Sequence, residues 1–381
     1  MSHNTTSGIK LRVFIFTSVH FWNDTRIFQK QAKSLAKYFQ VELHAPAEFV
    51  YKEIDAIKVF GLPRWSKEVE RKKIRKIIWQ RIRNSNADVY HFHDPELLFI
   101  ALFAQVFFKK PMIYDVHEHY PKMILDKQWI PKILRYPISI FVDGLERVIP
   151  FFLSGVIYAT SLIGERFRKK NSICIANYPL LFKSNYGVLK KKHQIIYVGG
   201  ITIVRGILEL IKAFKIVTEK FHSIQLFMVG KYYHKSFKKE VTQLIRKLNL
   251  ESQVRYFDHM LYDQLLPLII ESKIGIVTYL PYANNMIGLP NKLFEYMSCG
   301  TAVIASNFRL YKEIINDSGC GLLVDPTKPD KIAERIIYML HNDIYIKYGL
   351  NGKNAVMHKY NWDSQEEKLI HFYTKIFNVK V

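Results

Sequence analysis

Much that would tie this chain to a standard chemistry is missing from it. Its three cysteines, Cys174, Cys299 and Cys320, form no Cys-x-x-Cys pair and leave an odd one over. That excludes a disulfide framework and a cysteine zinc site, and points to reduced thiols of a cytosolic protein. The chain holds no Gly-x-x-x-x-Gly-Lys-[Ser/Thr], no Gly-x-Ser-x-Gly and no His-Glu-x-x-His, so a P-loop nucleotidase, a hydrolase elbow and a zincin are unsupported. No Asp-x-Asp occurs, so no paired carboxylates are set to hold a divalent ion against a diphosphate. The longest apolar runs, Leu97–Phe108 and Val148–Ala159, are shorter than the roughly 20 residues of a spanning helix. No small-residue cleavage site follows the early apolar run Val13–Phe16, so no signal peptide is expected. Acidic residues are also scarce: 33 Asp and Glu against 56 Lys and Arg give a formal charge of +23. Such an excess implies an anionic partner, whether nucleic acid, anionic lipid or a phosphorylated small molecule. No nucleic-acid recognition motif or aromatic-basic strand pattern is present.

What is present is a repeating strand-helix pattern over 381 residues, more than one hydrophobic core usually supports. Strands are expected at Leu11–Thr17, Val41–Ala45, Ala87–Phe92, Pro111–Val116, Gly155–Tyr158 and Ile173–Ala176. The pattern restarts at Ile195–Val198, Gln225–Val229, Gln253–Phe257, Ile274–Val277 and Thr301–Ala305. The spacing predicts helices over Arg26–Phe39, Arg64–Asn84, Leu97–Phe108, Ile207–Glu219, Phe237–Leu248 and Tyr262–Ile270. Two doubly wound α/β domains follow, 1–180 and 194–360, joined by a polar linker at 181–193. The amphipathic tail 361–381 offers Leu369, Phe372, Tyr373 and Ile376, and is expected to pack back on the first domain. The helix at 64–84 carries nine basic residues and only Glu68 and Glu70 as acids; it is either an ordinary solvated face or a contact for anionic lipid.

The stretch from Ile287 to Ser306 organises the second domain. Pro290-Asn291 reads as a helix start capped by the Asn side chain, Leu293, Phe294 and Met297 share an apolar face, and Gly300 ends the helix before a buried strand. Lys292 and Glu295 then stand near a helix N-terminus, which favours phosphate. Tyr197-Val198-Gly199-Gly200, followed by Arg205-Gly206, reads as a strand, a glycine turn and a helix start carrying a cation. The site suggested is one for a sugar diphosphate, with Arg205 and Lys292 neutralising it in place of a metal.

Polar residues concentrate at the carboxyl ends of the first-domain strands too: His20, Asp24 and Arg26, then His91, His93 and Asp94, then His117, Glu118 and His119. His91-x-His93 on one strand face with His117 is a conceivable metal set, although no recognised ligand spacing supports it.

Three motifs, Asp24-Thr25-Arg26, His91-Phe92-His93-Asp94-Pro95-Glu96-Leu97-Leu98 and Tyr114-Asp115-Val116-His117-Glu118, resemble the acceptor domain of glycosyltransferase family 4, of the GT-B fold. Tyr197–Gly206, Met228-Val229-Gly230, Leu289–Gly300 and Cys320–Pro326 resemble its donor domain, all in the expected order. The resemblance implies two Rossmann-like domains facing each other across a cleft, and a retaining, metal-independent transfer from a nucleotide diphosphate sugar without a further cofactor. By the same likeness Glu295 holds the ribose hydroxyls, Arg205 the diphosphate, with Gly199, Gly200, Asn291 and Lys292 around it. His117 lies beside the transferred sugar, and Asp24, Arg26, His93 and Glu118 fall on the acceptor side. Two positions depart from the family: Ile287 where a Glu is frequent, and Gly200 where an Arg is. Backbone groups of a Met286–Leu289 loop are expected to contact the sugar instead, and Lys292 to supply the missing charge. The expectation is a cytoplasmic enzyme, peripheral at the inner face of the cell membrane, acting on a lipid-linked or polysaccharide acceptor for cell-surface glycans. The alternatives are another GT-B sugar-nucleotide enzyme, a synthase or epimerase, or a basic nucleic-acid-binding protein.

Overall fold

Short runs of Val, Ile and aromatic residues form strands buried on both faces, as parallel sheets between helical layers require. In the computed structural model, which describes residues 11–64, 68–127, 130–167, 171–181, 190–258 and 260–378, they build two sheets. Most of the expected linker, residues 182–189, lies outside the described residues. The chain divides into two units, Met1–Asn177 with Asp363–Val381, and Tyr178–Trp362.

The first unit holds β1 (Arg12–Phe16), β2 (Gln40–Pro46), β3 (Tyr51–Ile54), β4 (Ile57–Leu62), β5 (Val89–Phe92), β6 (Met112–Val116), β7 (Gly155–Tyr158) and β8 (Ser172–Cys174). Their order is β3-β4-β2-β1-β5-β6-β7-β8, parallel except where β3 meets β4. A π-helical segment, Thr25–Ala32, replaces the first turns of the expected helix and continues into α1 (Lys33–Ala36). The other helices are α2 (Glu68–Asn84), α3 (Leu98–Phe107), α4 (Tyr120–Asp126), α5 (Lys132–Phe152) and α6 (Ser161–Gly164). Ile74, Ile78 and Ile82 of α2 and Leu98, Ala101 and Ala104 of α3 share one core with Phe14, Tyr90 and Phe92 of the sheet.

The second unit orders its strands β11-β10-β9-β12-β13-β14: β9 (Gln194–Val198), β10 (Gln225–Val229), β11 (Val254–Phe257), β12 (Ile274–Val277), β13 (Ala302–Ser306) and β14 (Gly321–Val324). Counted within the unit this is 3-2-1-4-5-6, the doubly wound order that reverses between its first and fourth strands. Around the sheet run α7 (Ile207–Lys220), α8 (Lys235–Lys247), α9 (Tyr262–Glu271), α10 (Ala283–Ile287), α11 (Asn291–Ser298), α12 (Arg309–Ser318), α13 (Pro329–His341) and α14 (Tyr345–His358).

The last helix, α15 (Trp362–Phe377), sends its residues from Asp363 onward into the first unit. Leu369 and Tyr373 are fully buried. A Cβ on Gly155 would meet Phe372 Cζ at 2.9 Å and Ile376 Cδ1 at 2.8 Å, so α15 lies close against β7 at this glycine. Gln365 accepts from Ala176 N at 3.0 Å, and Glu366 takes Ser34 and Lys37 at 2.6 Å each.

Candidate functional site

In doubly wound sheets, ligands sit beyond the carboxyl ends of the strands where the order reverses. Each unit has a polar cluster at that place.

In the first unit the reversal falls between β1 and β5. Asp94, 2% exposed, follows β5 and accepts from Thr17 Oγ1 at 2.7 Å and Ser18 N at 2.6 Å beyond β1. The next loop carries His20, whose ring nitrogens lie 3.5 Å from Asp24 and 3.6 Å from Asp94. Asp24 caps the π-helical segment, accepting from Arg26 N at 2.8 Å and Ile27 N at 3.0 Å. Arg26 is 4% exposed, and its guanidinium donates to both oxygens of Asp115, at 3.0 and 2.7 Å, and to Ile175 O at 2.8 Å. Gln31 donates to the same Asp115 Oδ2 at 2.7 Å. The motif residue Arg26 is thus a buried clamp on Asp115, with its donors turned into the protein.

Asp115 in turn organises the histidines. Its Oδ2 is 3.0 Å from His117 Nε2 and 3.3 Å from His93 Nδ1, and those two ring nitrogens are 3.0 Å apart. Burial would raise the Asp115 carboxyl, but the Arg26 guanidinium and then His117 hold it well below the usual carboxylate range. A carboxylate only accepts, and His117 Nε2 and His93 Nδ1 face both it and each other, so with both rings neutral only one proton lies between the two nitrogens. Burial lowers His117 and pushes His93 down to about 4, so both rings are neutral near pH 7. Burial opposes protonation of His20 too, yet the Asp24 hydrogen bond and then Asp94 raise it. His91 is pushed well below its ordinary value by burial, and its Nδ1 is 2.7 Å from Tyr373 Oη of α15. Glu118 and His119 lie half-buried beyond β6.

Ligand atoms of His91, His93 and Asp115 lie within 4.8 Å of one another, close enough for one metal ion. The donor set argues against it, because both Asp115 oxygens already take the Arg26 cation. A divalent ion would have to sit beside a buried guanidinium.

In the second unit the reversal falls between β9 and β12, and the glycine turn and Arg205 follow β9 directly. Gly199 has φ +120°, and a Cβ there would lie 3.2 Å from Lys292 Nζ. Gly206 has φ +70°, and its Cβ would lie 2.1 Å from Thr278 O, so only glycine lets the turn close on β12. The Arg205 guanidinium stacks 3.9 Å from the Tyr279 ring centroid. Lys292 Nζ lies 3.7 Å from the Tyr197 centroid and 5.0 Å from that of Tyr279. Two cations therefore share one aromatic wall. Lys292 is 7% exposed, and burial, then Arg205, pushes its ammonium well below the ordinary lysine value against the pull of Glu295. Lys292 Nζ, Thr202 Oγ1 and Thr278 Oγ1 are buried without a hydrogen-bond partner, all three around this turn. Buried polar atoms are nearly always paired, so three orphans at one strand end mark a place for a ligand.

Glu295 is half-buried one turn into α11. Asn291 is the first helical residue, not the cap; Pro290 takes the cap position with no side-chain hydrogen bond, because its ring carries no acceptor atom. The segment expected as a loop before it is helical in part: Ala283–Ile287 forms α10, and Met286 N and Gly288 N donate back to Tyr282 O and Asn284 O. Ile287 itself is buried, 6% exposed. Gly200 is covered by Tyr233, whose Cε2 would lie 2.6 Å from an added Cβ.

Sequence reasoning singled out His117, Arg205, Lys292 and Glu295, gave Asp115 no role beyond its motif and Tyr373 none beyond packing, and passed over Tyr279. Asp115 had a signal, since a carboxylate inside the otherwise apolar strand Met112–Val116 must be compensated.

Residues 182–361 match the family described as Glycosyl transferases group 1. An uncharacterized glycosyltransferase of Methanocaldococcus jannaschii is 24% identical over 298 residues, which span 72% of this chain and 70% of that protein. A phosphatidyl-myo-inositol mannosyltransferase of Mycobacterium leprae is 22% identical over 358 residues, 88% of each. Among solved structures, HepE of Anabaena in complex with UDP-glucose superposes with a TM-score of 0.71 at 14% identity, covering 96% of this chain and 100% of the other. The likeness to glycosyltransferase family 4 read from the motifs is borne out, as is the GT-B fold.

Proposed function

We propose that this chain, a group 1 glycosyltransferase with the GT-B fold, moves a sugar from a nucleotide diphosphate sugar to a lipid-linked or polysaccharide acceptor in cell-surface glycan biosynthesis. The transfer proceeds with retention and without a metal ion. The observation that carries the reading is the second unit's turn, where Arg205 and the buried Lys292 stand with the orphaned hydroxyls of Thr202 and Thr278. A diphosphate offers the negative charge and acceptor oxygens that these groups lack. Lys292 touches the Gly199 turn and so takes the place of an arginine at Gly200. Glu295 accepts from the ribose hydroxyls, and His117 acts on the transferred sugar. The HepE structure holds UDP-glucose, and the mycobacterial relative is named for mannosyl transfer to a phosphatidyl-inositol, which supports a nucleotide sugar donor and a lipid acceptor. On this reading the enzyme works on the cytoplasmic side, peripheral at an anionic membrane.

The test is incubation of the protein with UDP- and GDP-sugars in the presence of EDTA, following free nucleoside diphosphate. Slow release with one donor, quickened by a lipid-linked acceptor and unchanged by added magnesium, supports the reading. No thermal stabilisation by any nucleoside diphosphate, together with no release, overturns it.

A further inference from the structure

The first unit turns an unusual amount of apolar surface outward. On α3, Phe99, Phe103 and Phe107 recur every four residues and form an exposed stripe, with Phe107 67% exposed. On α5, Ile133, Ile140 and Phe151 line the outward side, with Ile133 83% exposed. The two helices pack against each other, and both stripes are exposed. Contiguous apolar faces of this kind mark an interaction site rather than a solvated wall.

Charge says what kind of partner fits. The segment Leu98–Phe107 contains no charged residue. The two acids of α5 are both paired with cations: the partly exposed Asp143 takes Arg147 at 2.7 Å and Arg166 at 2.8 Å, and the fully buried Glu146 takes Arg166 at 2.9 Å and Tyr114 Oη at 2.7 Å. Exposed cations stand around the apolar surface, beside the one exposed acid of α4, Asp126. Lys109 follows α3 and Lys132 opens α5. The neighbouring α2 joins the surface through Trp79, edge-on to Phe103 at 5.4 Å and to Phe108 at 5.5 Å, and exposes Lys72, Lys73 and Lys76. A second copy of the chain would bring +23 against +23. No described helix is long and apolar enough to cross a membrane, so α3 and α5 can only lie in its surface.

We infer that the α3–α5 face is a monotopic membrane-docking surface: its aromatic and aliphatic side chains enter the acyl boundary of an anionic bilayer while Lys72, Lys73, Lys76, Lys109 and Lys132 meet the headgroups. The sequence alone drew attention to the basic helix α2. In the structure α2 turns its isoleucines into the core and pairs Arg71 with Glu96 at 2.8 Å, so it supplies charge at the edge while α3 and α5 supply the inserted surface. The inference deepens the acceptor reading above, and rests on it only in that the acceptor is then embedded in the same bilayer.

The experiment is co-sedimentation of the full chain with vesicles of phosphatidylglycerol and phosphatidylcholine, and with phosphatidylcholine alone. It uses the parent, an apolar-face variant (Phe107→Ser with Ile133→Ser and Ile140→Ser) and a charge variant (Lys72→Glu with Lys73→Glu and Lys76→Glu). These side chains are exposed, so unchanged thermal unfolding is expected. The parent should bind the anionic vesicles, and each variant should bind them roughly tenfold or more weakly. Added salt should weaken the parent while leaving a residue of binding that the apolar variant lacks. Binding by the apolar variant equal to the parent's overturns the inference, as does a parent dimer in solution that the same three substitutions dissociate. Failure to bind vesicles with nucleoside diphosphate binding intact counts against this surface alone. Vesicle binding without any nucleotide binding counts against the proposed transfer and leaves the surface standing.

Discussion

Asp115 Oδ2 and His117 Nε2 are 3.0 Å apart at the end of one strand, and Asp115 is itself held by the two-pronged grip of Arg26. A buried carboxylate fixed by a buried guanidinium holds the ring of the histidine two residues on. The chemistry assigned to His117 therefore depends on the buried pair behind it.

His117→Ala should lower turnover roughly tenfold or more, about 1.4 kcal/mol of transition-state stabilisation. Nucleoside diphosphate binding, which belongs to the second unit, should hardly change. Steady-state kinetics beside titration calorimetry check this, and unfolding of the first unit in the variant would mean that the ring serves packing instead.

Asp115→Ala strands the Arg26 cation in the interior. Breaking a buried pair from one side costs about 3–5 kcal/mol. The denaturation midpoint of the first unit should fall steeply, while Asp115→Asn should fall less and show an altered ring-nitrogen chemical shift for His117. An unchanged midpoint in Asp115→Ala would refute the clamp.

Lys292 supplies a pH test. Its folded value lies well below the ordinary one of about 10.4 because burial penalises the ammonium. Between the two values the unfolded chain holds more protons than the folded one, so the ligand-free second unit gains stability as pH rises through that window. A bound diphosphate favours the ammonium and raises its pKa. Binding should then take up a proton, and affinity should fall as pH climbs above the ligand-free value. Calorimetry in buffers of different ionisation enthalpy measures the uptake, and Lys292→Met should abolish it, weaken binding and leave the ligand-free protein no less stable.

Glu295→Ala should weaken nucleotide binding by about ten- to a hundredfold, since hydrogen bonds to a charged group contribute roughly 1.5–3 kcal/mol. Arg205→Ala should weaken the nucleoside diphosphate and spare the nucleoside. Titration of both ligands on both variants separates a ribose contact from a diphosphate contact, and wild-type affinity in Glu295→Ala would move the donor site elsewhere.

Much of the fold was legible because buried parallel strands write themselves as apolar runs: Gln194–Val198 and Ala302–Ser306 fall within a residue of expectation. The antiparallel pair β3–β4 was not legible. Its two-residue turn, Asp55-Ala56, takes φ of +53° and +61° without the Asn-Gly or Asp-Gly that usually announces such a turn. In the site, Arg205 and Lys292 were readable as cations near a glycine turn. That Lys292 is buried against Tyr197 and Tyr279 depends on the first turn of α11 meeting the ends of β9 and β12, which no local pattern records. Arg26 shows the opposite case, a motif position whose partner, Asp115, is distant in sequence and next to it in space.

The hydrogen bond from α15 to the first unit's histidines has a consequence for biosynthesis. Tyr373 can reach His91 only after the whole intervening second unit has left the ribosome. Until then the first unit stands with β7 and the histidine strand uncovered on that side, and this packing partner arrives only after the second unit has been made. Native protection of the first unit should thus appear late and all at once, making α15 the latch that closes a domain begun hundreds of residues earlier.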